Sequence, residues 1–278
     1  MSDLLRVALI QTCTPAEQSA ALAHLEPMIR EARAGGAQMI LTPEASNLME
    51  QRKPNRAERI VRQDDDACVQ GLRALAAELQ VHLLIGSAIV LQDDPADPRA
   101  ANRSIFVGPD GAVIATYDKM HVYDVDLPTG ERHRESENIR PGERAVVAPT
   151  PWGGLGLTIC YDVRFPHLFR ALARGGASMI STPAAFTVPT GMAHWEILQR
   201  ARAIETGCFV MAPAQGGSHE DGRKTWGHSM VVAPWGEVIA KLDNDAPGVL
   251  FAELDLSQVE KARNAIQQLK HDREFTGP

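Results

Sequence analysis

No run of apolar residues in this chain approaches the roughly 20 needed to span a bilayer. The opening residues, Met1-Ser2-Asp3-Leu4, lack a basic head followed by an apolar segment, so no secretory leader is expected. Cysteine is sparse: Cys13, Cys68, Cys160 and Cys208 lie far apart and form no CxxC pair. That spacing argues against a disulfide framework or a zinc site and for a reducing compartment, by default the cytoplasm. Basic residues are outnumbered, 28 Lys and Arg against 35 Asp and Glu, leaving a net charge of −7. No block of like charge stands out, whereas nucleic acid or an anionic membrane would need a concentrated basic face. Gly153-Gly154-Leu155-Gly156 precedes a strand rather than opening a helix, so it is no phosphate loop. No His/Cys/Asp cluster has metal-ligand spacing, and neither metal nor cofactor is expected.

What is present is an alternation of apolar runs and helical patterns over 278 residues of ordinary globular composition. Strands are expected at Leu5–Ile10, Met39–Leu41, Leu83–Leu91, Met179–Thr182, Phe209–Pro213 and Val249–Leu254, with a further pair near Ala145–Ala148 and Gly156–Cys160. Helices should cover Leu22–Ala32, Asp64–Leu79, Pro166–Arg174, Ala193–Glu205 and Gln258–Leu269. Hairpins are expected at 104–117 and 228–242, and a surface loop at Asp93–Pro98. The polar stretch from His121 to Gly142 shows no period, and His271–Pro278 is unassigned. On the Ala193–Glu205 helix, Ile197, Ala201 and Ile204 share one face that reads as core.

One internal echo matters more than any single element. Gly35-Gly-Ala-Gln-Met-Ile-Leu-Thr-Pro-Glu-Ala45 aligns without gaps against Gly175-Gly-Ala-Ser-Met-Ile-Ser-Thr-Pro-Ala-Ala185. Both copies sit in a strand–helix–strand setting, the unit of parallel sheet. The expectation is an α/β fold in which two similar halves, each a mixed sheet with helices on one face, stack sheet to sheet. Residues 1–278 then form a single domain.

The echo also locates chemistry, because Glu44 and Cys160 each follow the carboxyl end of a strand, where α/β sheets bind ligands. Cys160 stands on a strand-to-helix turn, an exposed position for a nucleophile, where a helix N-terminus would favour thiolate. Read alone, Cys160 could equally be a buried small hydrophobe, Glu44 a solvated loop carboxylate and Lys119 a surface lysine. Histidine competes as general base, since Cys–His pairs are common, yet none of the nine histidines can be placed beside Cys160. His121, His194 and His228 are expected to pack or line a pocket.

The three residues occur in order as strand-end Pro-Glu44, Tyr-Asp-Lys119-Met-His and Thr-Ile-Cys160-Tyr-Asp-Val-Arg-Phe-Pro. This set resembles the Glu-Lys-Cys triad of the nitrilase superfamily of carbon–nitrogen hydrolases, and the resemblance covers nearly the whole chain. It implies a four-layer αββα sandwich of two pseudo-symmetric halves and a homodimer joined through neighbouring helices. It also implies attack by Cys160 on an amide carbonyl to give a thioester, proton transfer by Glu44 and oxyanion stabilisation by Lys119 with a backbone N–H. A second active-site glutamate falls at Glu135, which read alone is one acid of a charged run. Tyr161, Arg164, Phe186, Thr187 and Thr190 are candidates for substrate contact, with Gly191 in the same loop. Arg164 could hold a substrate carboxylate or serve in a surface salt bridge. The motifs are similar to the Nit branch, and more to deaminated-glutathione amidase than to omega-amidase or to nitrile-cleaving members. The expected substrate is therefore a small carboxylate-bearing amide that releases ammonia. A non-catalytic scaffold that keeps the fold for partner contacts is the alternative of another class.

Overall fold

Alternation along the strands sets the layering. In β1 (Leu4–Gln11), Leu5, Val7 and Leu9 face one way and Ala8 and Ile10 the other, all fully buried. The first set packs with Met39, Leu41, Leu84, Phe106 and residues of the second half of the chain. The second set packs with helix residues such as Leu25, Ile29 and Leu72. A strand apolar on both faces must be covered on both, here by helices outside and another sheet inside.

The computed structural model describes residues 4–50, 52, 58–92, 94, 96–127 and 130–277, and it contains this arrangement twice. The first sheet takes its strands from both ends of the chain: β1, β2 (Met39–Leu41), β3 (His82–Leu91), β4 (Ala100–Val107), β5 (Val113–Asp118) and β16 (Gly248–Asp255). Their spatial order is β16-β1-β2-β3-β4-β5. The second sheet holds β8 (Val146–Thr150), β9 (Gly153–Leu157), β10 (Ala177–Ser181), β11 (Phe209–Ala212), β14 (Met230–Val232) and β15 (Val238–Lys241), ordered β8-β9-β10-β11-β14-β15. In each, three central strands are parallel (β1-β2-β3 and β9-β10-β11), and the flanking strands are antiparallel. β2 and β10 hold the same place in the two orders, and they are the strands inside the aligned Gly35–Ala45 and Gly175–Ala185 segments. The repeat is architectural. Two short hairpins complete the strands, β6 (Asp124–Asp126) with β7 (Arg132–Arg134) and β12 (Gly216–Ser218) with β13 (Lys224–Trp226).

Helices α1 (Gln18–Ala34) and α2 (Ala67–Leu79) cover the first sheet, and α3 (Pro166–Arg174) and α4 (Val188–Thr206) cover the second. A short α5 (Ser257–Ala265) follows β16. Local sequence sets the ends. Asp66 accepts a hydrogen bond from the Val69 N–H at the start of α2, a cap worth about 1 kcal/mol. Gly207 ends α4 at φ +59, a conformation that favours glycine.

Two expectations need correction here. α4 starts at Val188, more than a turn before Ala193, because Pro189 suits a first turn that needs no N–H. Its core face is also the opposite one: Ile197 and Ile204 are 69% and 49% exposed, while Trp195, Gln199, Arg202, Ala203 and Thr206 are buried. Two of the polar residues on that face are satisfied, Arg202 donating to the Val163 carbonyl and Thr206 to its own helix at Arg202 O, whereas the Gln199 amide finds no partner among the described residues. In the loop expected at Asp93–Pro98, Asp93 and Pro95 lie outside the described residues, as do Met1–Asp3 and Pro278.

Candidate active site

The parallel direction of β2 and β9, and the return of β5 to the direction of β2, bring three strand exits to one end of the sandwich. Glu44 follows β2, Lys119 follows β5 and Cys160 follows β9 by a short extension. All three side chains are nearly sealed, at 6%, 2% and 8% exposure. Lys119 Nζ donates to Glu44 Oε1 at 2.9 Å and to both oxygens of Glu135, at 3.0 and 2.8 Å. Asn102 Nδ2 donates to the same Glu44 oxygen at 2.9 Å and reaches Glu135 Oε1 at 3.3 Å. The other Glu44 oxygen accepts the Ala185 N–H at 2.9 Å and so is held by the second copy of the repeat. The Cys160 thiol lies close enough to the Glu44 carboxylate for the charge of one to bear on the other. Cys160 itself has φ +50, a strained conformation for a residue with a Cβ.

The charges are mutually determined. Burial alone would raise the Glu44 carboxyl, but the Lys119 charge, the neighbouring Cys160 thiol and hydrogen bonds from Lys119 and Asn102 hold it below its ordinary value of 4.5. Burial disfavours the Lys119 charge, yet Glu135, Glu44 and Cys160 together keep the ammonium well above 10.5. For Cys160, burial and then the Glu44 charge push the thiol well above 9.0, and Lys119 offsets only part of this. The resting pair is thus a neutral thiol beside a carboxylate. This corrects the expectation of a stabilised thiolate: the turn after Cys160 is only a five-residue 3-10 helix, Cys160–Arg164, too short to outweigh a buried anion alongside.

These groups form the floor of a cavity of about 760 Å³. Residues 6–264 match the carbon-nitrogen hydrolase family model. This chain belongs to that family.

The carbon–nitrogen hydrolase assignment has close support in individual proteins. A deaminated glutathione amidase of Yersinia enterocolitica is 40% identical over 268 residues, covering 96% of this chain and 92% of that protein. The C. elegans NitFhit crystal structure matches 98% of this chain and 66% of its own, with TM-score 0.89 and 35% identity. A glutamate-to-glutamine mutant of the amidase from Nesterenkonia sp. AN1 matches 96% of both chains, with TM-score 0.78 and 26% identity. In that structure the acetamide moiety of fluoroacetamide is covalently added at the active site cysteine.

Tyr161, Arg164, Phe186, Thr187 and Thr190 all line the cavity, as do Glu135 and Tyr123. Gly191 does not; it sits against Trp226, where a Cβ would lie 2.2 Å from the indole. Among the described residues Arg164 pairs with no carboxylate: it contacts His194 Nδ1 at 3.2 Å and lies over the rings of Tyr161 and Phe186. His121 stacks on Phe165 and hydrogen-bonds Asp162 through Nδ1, and His228 stacks on Trp226. Among the described residues no group of His, Cys, Asp or Glu is placed to hold a metal, and no helix is long and apolar enough to cross a membrane. Asn102 and Ala185, which donate to Glu44, and residues 221–225 of the β12–β13 hairpin, which line the cavity, were passed over by the sequence reading. Asn102 gives no signal of its own in the sequence, since Arg103 and Ser104 follow it directly in the same strand.

Proposed function

We propose that this protein hydrolyses the amide bond of a small carboxylate-bearing substrate through a Cys160 thioester, most closely as a deaminated-glutathione amidase. The observation that carries this reading is that Cys160, Glu44 and Lys119 line one cavity, with the Glu44 carboxylate accepting a hydrogen bond from the Lys119 ammonium at 2.9 Å. Glu44 takes the thiol proton as sulfur attacks the carbonyl carbon, so the carbonyl oxygen gains charge beside Lys119 and the Tyr161 N–H. Glu44 then passes the proton to the departing nitrogen, the C–N bond breaks and the thioester remains. Water, deprotonated by the same carboxylate, attacks the thioester and restores the thiol. Glu135 keeps Lys119 charged and fixed through two hydrogen bonds.

Arg164, which pairs with no carboxylate among the described residues, supplies the charge for the substrate's own carboxylate, while Phe186, Thr187 and Thr190 shape the acyl pocket. The leaving group is ammonia only for a primary amide; a substituted amide such as deaminated glutathione releases an amine. Ammonia as the general product is therefore too narrow. The Yersinia relative's name is the basis for preferring the larger substrate.

The chain is taken as one domain over residues 1–278 acting as a homodimer. Exposed Ile204 on α4 adjoins the turn at Gly236, next in sequence to exposed Trp235, and Ile197 and Ile239 are exposed as well, apolar surface suited to a second copy. Four unpaired cysteines fit a reducing, cytoplasmic setting.

The test is turnover of deaminated glutathione, 2-oxoglutaramate and a neutral short amide by the wild type and Cys160→Ala, measured as carboxylate product. Wild type should prefer deaminated glutathione, and the variant should lose at least ~10³-fold in kcat while keeping its circular dichroism. Preference for 2-oxoglutaramate would make it an omega-amidase. No turnover of any amide would leave only the scaffold reading.

A further inference from the structure

The residue two places after Cys160 joins the nucleophile to the lysine. Asp162 is completely buried, and each of its oxygens accepts two hydrogen bonds. Oδ2 accepts the Ile159 N–H at 2.9 Å and the Tyr117 hydroxyl at 2.6 Å. Oδ1 accepts the His121 backbone N–H at 3.0 Å and His121 Nδ1–H at 2.6 Å. A carboxylate offers about four lone-pair sites, and all four are used. The donors are not scattered. Ile159 immediately precedes Cys160, and Tyr117 and His121 stand two residues either side of Lys119. The Tyr117 oxygen in turn accepts the Met120 N–H at 3.2 Å. One carboxylate therefore clamps the turn that holds Cys160, in its unfavourable positive-φ conformation, to the segment that carries Lys119.

We propose that Asp162 is a positioning residue that sets the separation of the Cys160 sulfur from the Lys119 ammonium. This rests on the thioester reading of the site. Hydrogen bonds to Glu44 and Glu135 fix where the Lys119 head points, but they come from other loops and do not tie its backbone to Cys160. Asp162 does, and the tie joins the two stacked sheets, since Tyr117 belongs to β5 and Cys160 follows β9. Converting it to asparagine turns one acceptor into a donor, so either Ile159 N–H or the two His121 donors lose a partner. The chain can then relax at one end of the clamp. Misplacement of reacting groups by about 1 Å costs on the order of 10²-fold in rate.

The experiment compares wild type, Asp162→Asn, Tyr117→Phe and Cys160→Ala. Active sites are first counted by thiol titration, so that kcat refers to folded protein. Asp162→Asn should lower kcat on the order of 10²-fold with KM changed less than about 3-fold. Tyr117→Phe, which removes one of the four bonds and retains the charge, should lose less. Alkylation of Cys160 by fluoroacetamide should slow in parallel with kcat, while reaction with a small disulfide reagent that needs no oxyanion site should not. Wild-type kcat per titrated site in Asp162→Asn overturns the proposal, as does equal slowing toward both reagents. If Asp162→Asn does not fold, Tyr117→Phe decides alone: unchanged kcat and unchanged fluoroacetamide selectivity sink the idea. An active Cys160→Ala would instead defeat the thioester reading itself, which keeps the two failures apart.

Discussion

At the scale of single residues the site is a proton held in reserve. Glu44 is kept anionic below its usual range and Cys160 neutral above its own, so both are in their working forms across neutral pH. The expected kcat/KM profile is therefore flat between pH 4.5 and 9.0. Its acid limb belongs to Glu44, which must be ionised to accept the thiol proton. The sign for stability is the same. A carboxyl with a depressed folded pKa adds stability above its unfolded value and loses that contribution as pH falls through the folded one. Activity and fold should thus fail together in acid. A limb near pH 6 to 7 in protein still folded by circular dichroism, pointing to a histidine base, would contradict the assignment. At this scale Glu44, Lys119, Cys160 and Glu135 were readable because they sit in recognisable strings. Asp162 and Asn102 were not, because a buried carboxylate or amide differs from a solvated one only in its partners, and those come from distant segments.

At the scale of elements, legibility followed length and burial. Strands with a buried face, such as β1, β3 and β16, carried their alternation or their apolar run openly. The hairpin β6–β7 did not, since three-residue strands exposed on the surface bury no face and so keep no period. The helix α4 misled in a different way. Its apolar stripe points outward, and its buried side holds Gln199, Arg202 and Thr206, so hydrophobicity and burial are decoupled. An exposed stripe of this kind is what a homodimer would cover. Ile197→Asp should convert a dimer to a monomer in sedimentation velocity, with the far-ultraviolet spectrum retained. An unchanged sedimentation coefficient in this variant would place the interface elsewhere.

At the scale of the molecule, the gapless echo between residues 35–45 and 175–185 foretold two matching sheets, and the sheet orders follow it strand for strand. What the echo could not foretell is how tightly the halves meet. A Cβ on Gly86 in β3 would lie 2.0 Å from the Thr42 carbonyl oxygen and 2.7 Å from Pro183 Cβ in the other half. Gly86→Ala should therefore destabilise by about 1–3 kcal/mol, lowering Tm by roughly 2–4 °C per kcal/mol. A Tm equal to wild type would show that the two strand-end loops can part at no cost.

The close meeting of the halves has a consequence for any cleaved form of the chain. Glu44, Lys119 and Glu135 lie before residue 136, and the sulfur lies after residue 159. The N–H that steadies the Glu44 carboxylate, and the Gln215 amide that holds the Glu44 carbonyl, also come from the later part. A fragment ending in the early 140s would carry an acid–base apparatus with nothing to activate, and its complement a thiol with no proton acceptor. Recovery of turnover on mixing such fragments would be a direct signal that they have re-associated.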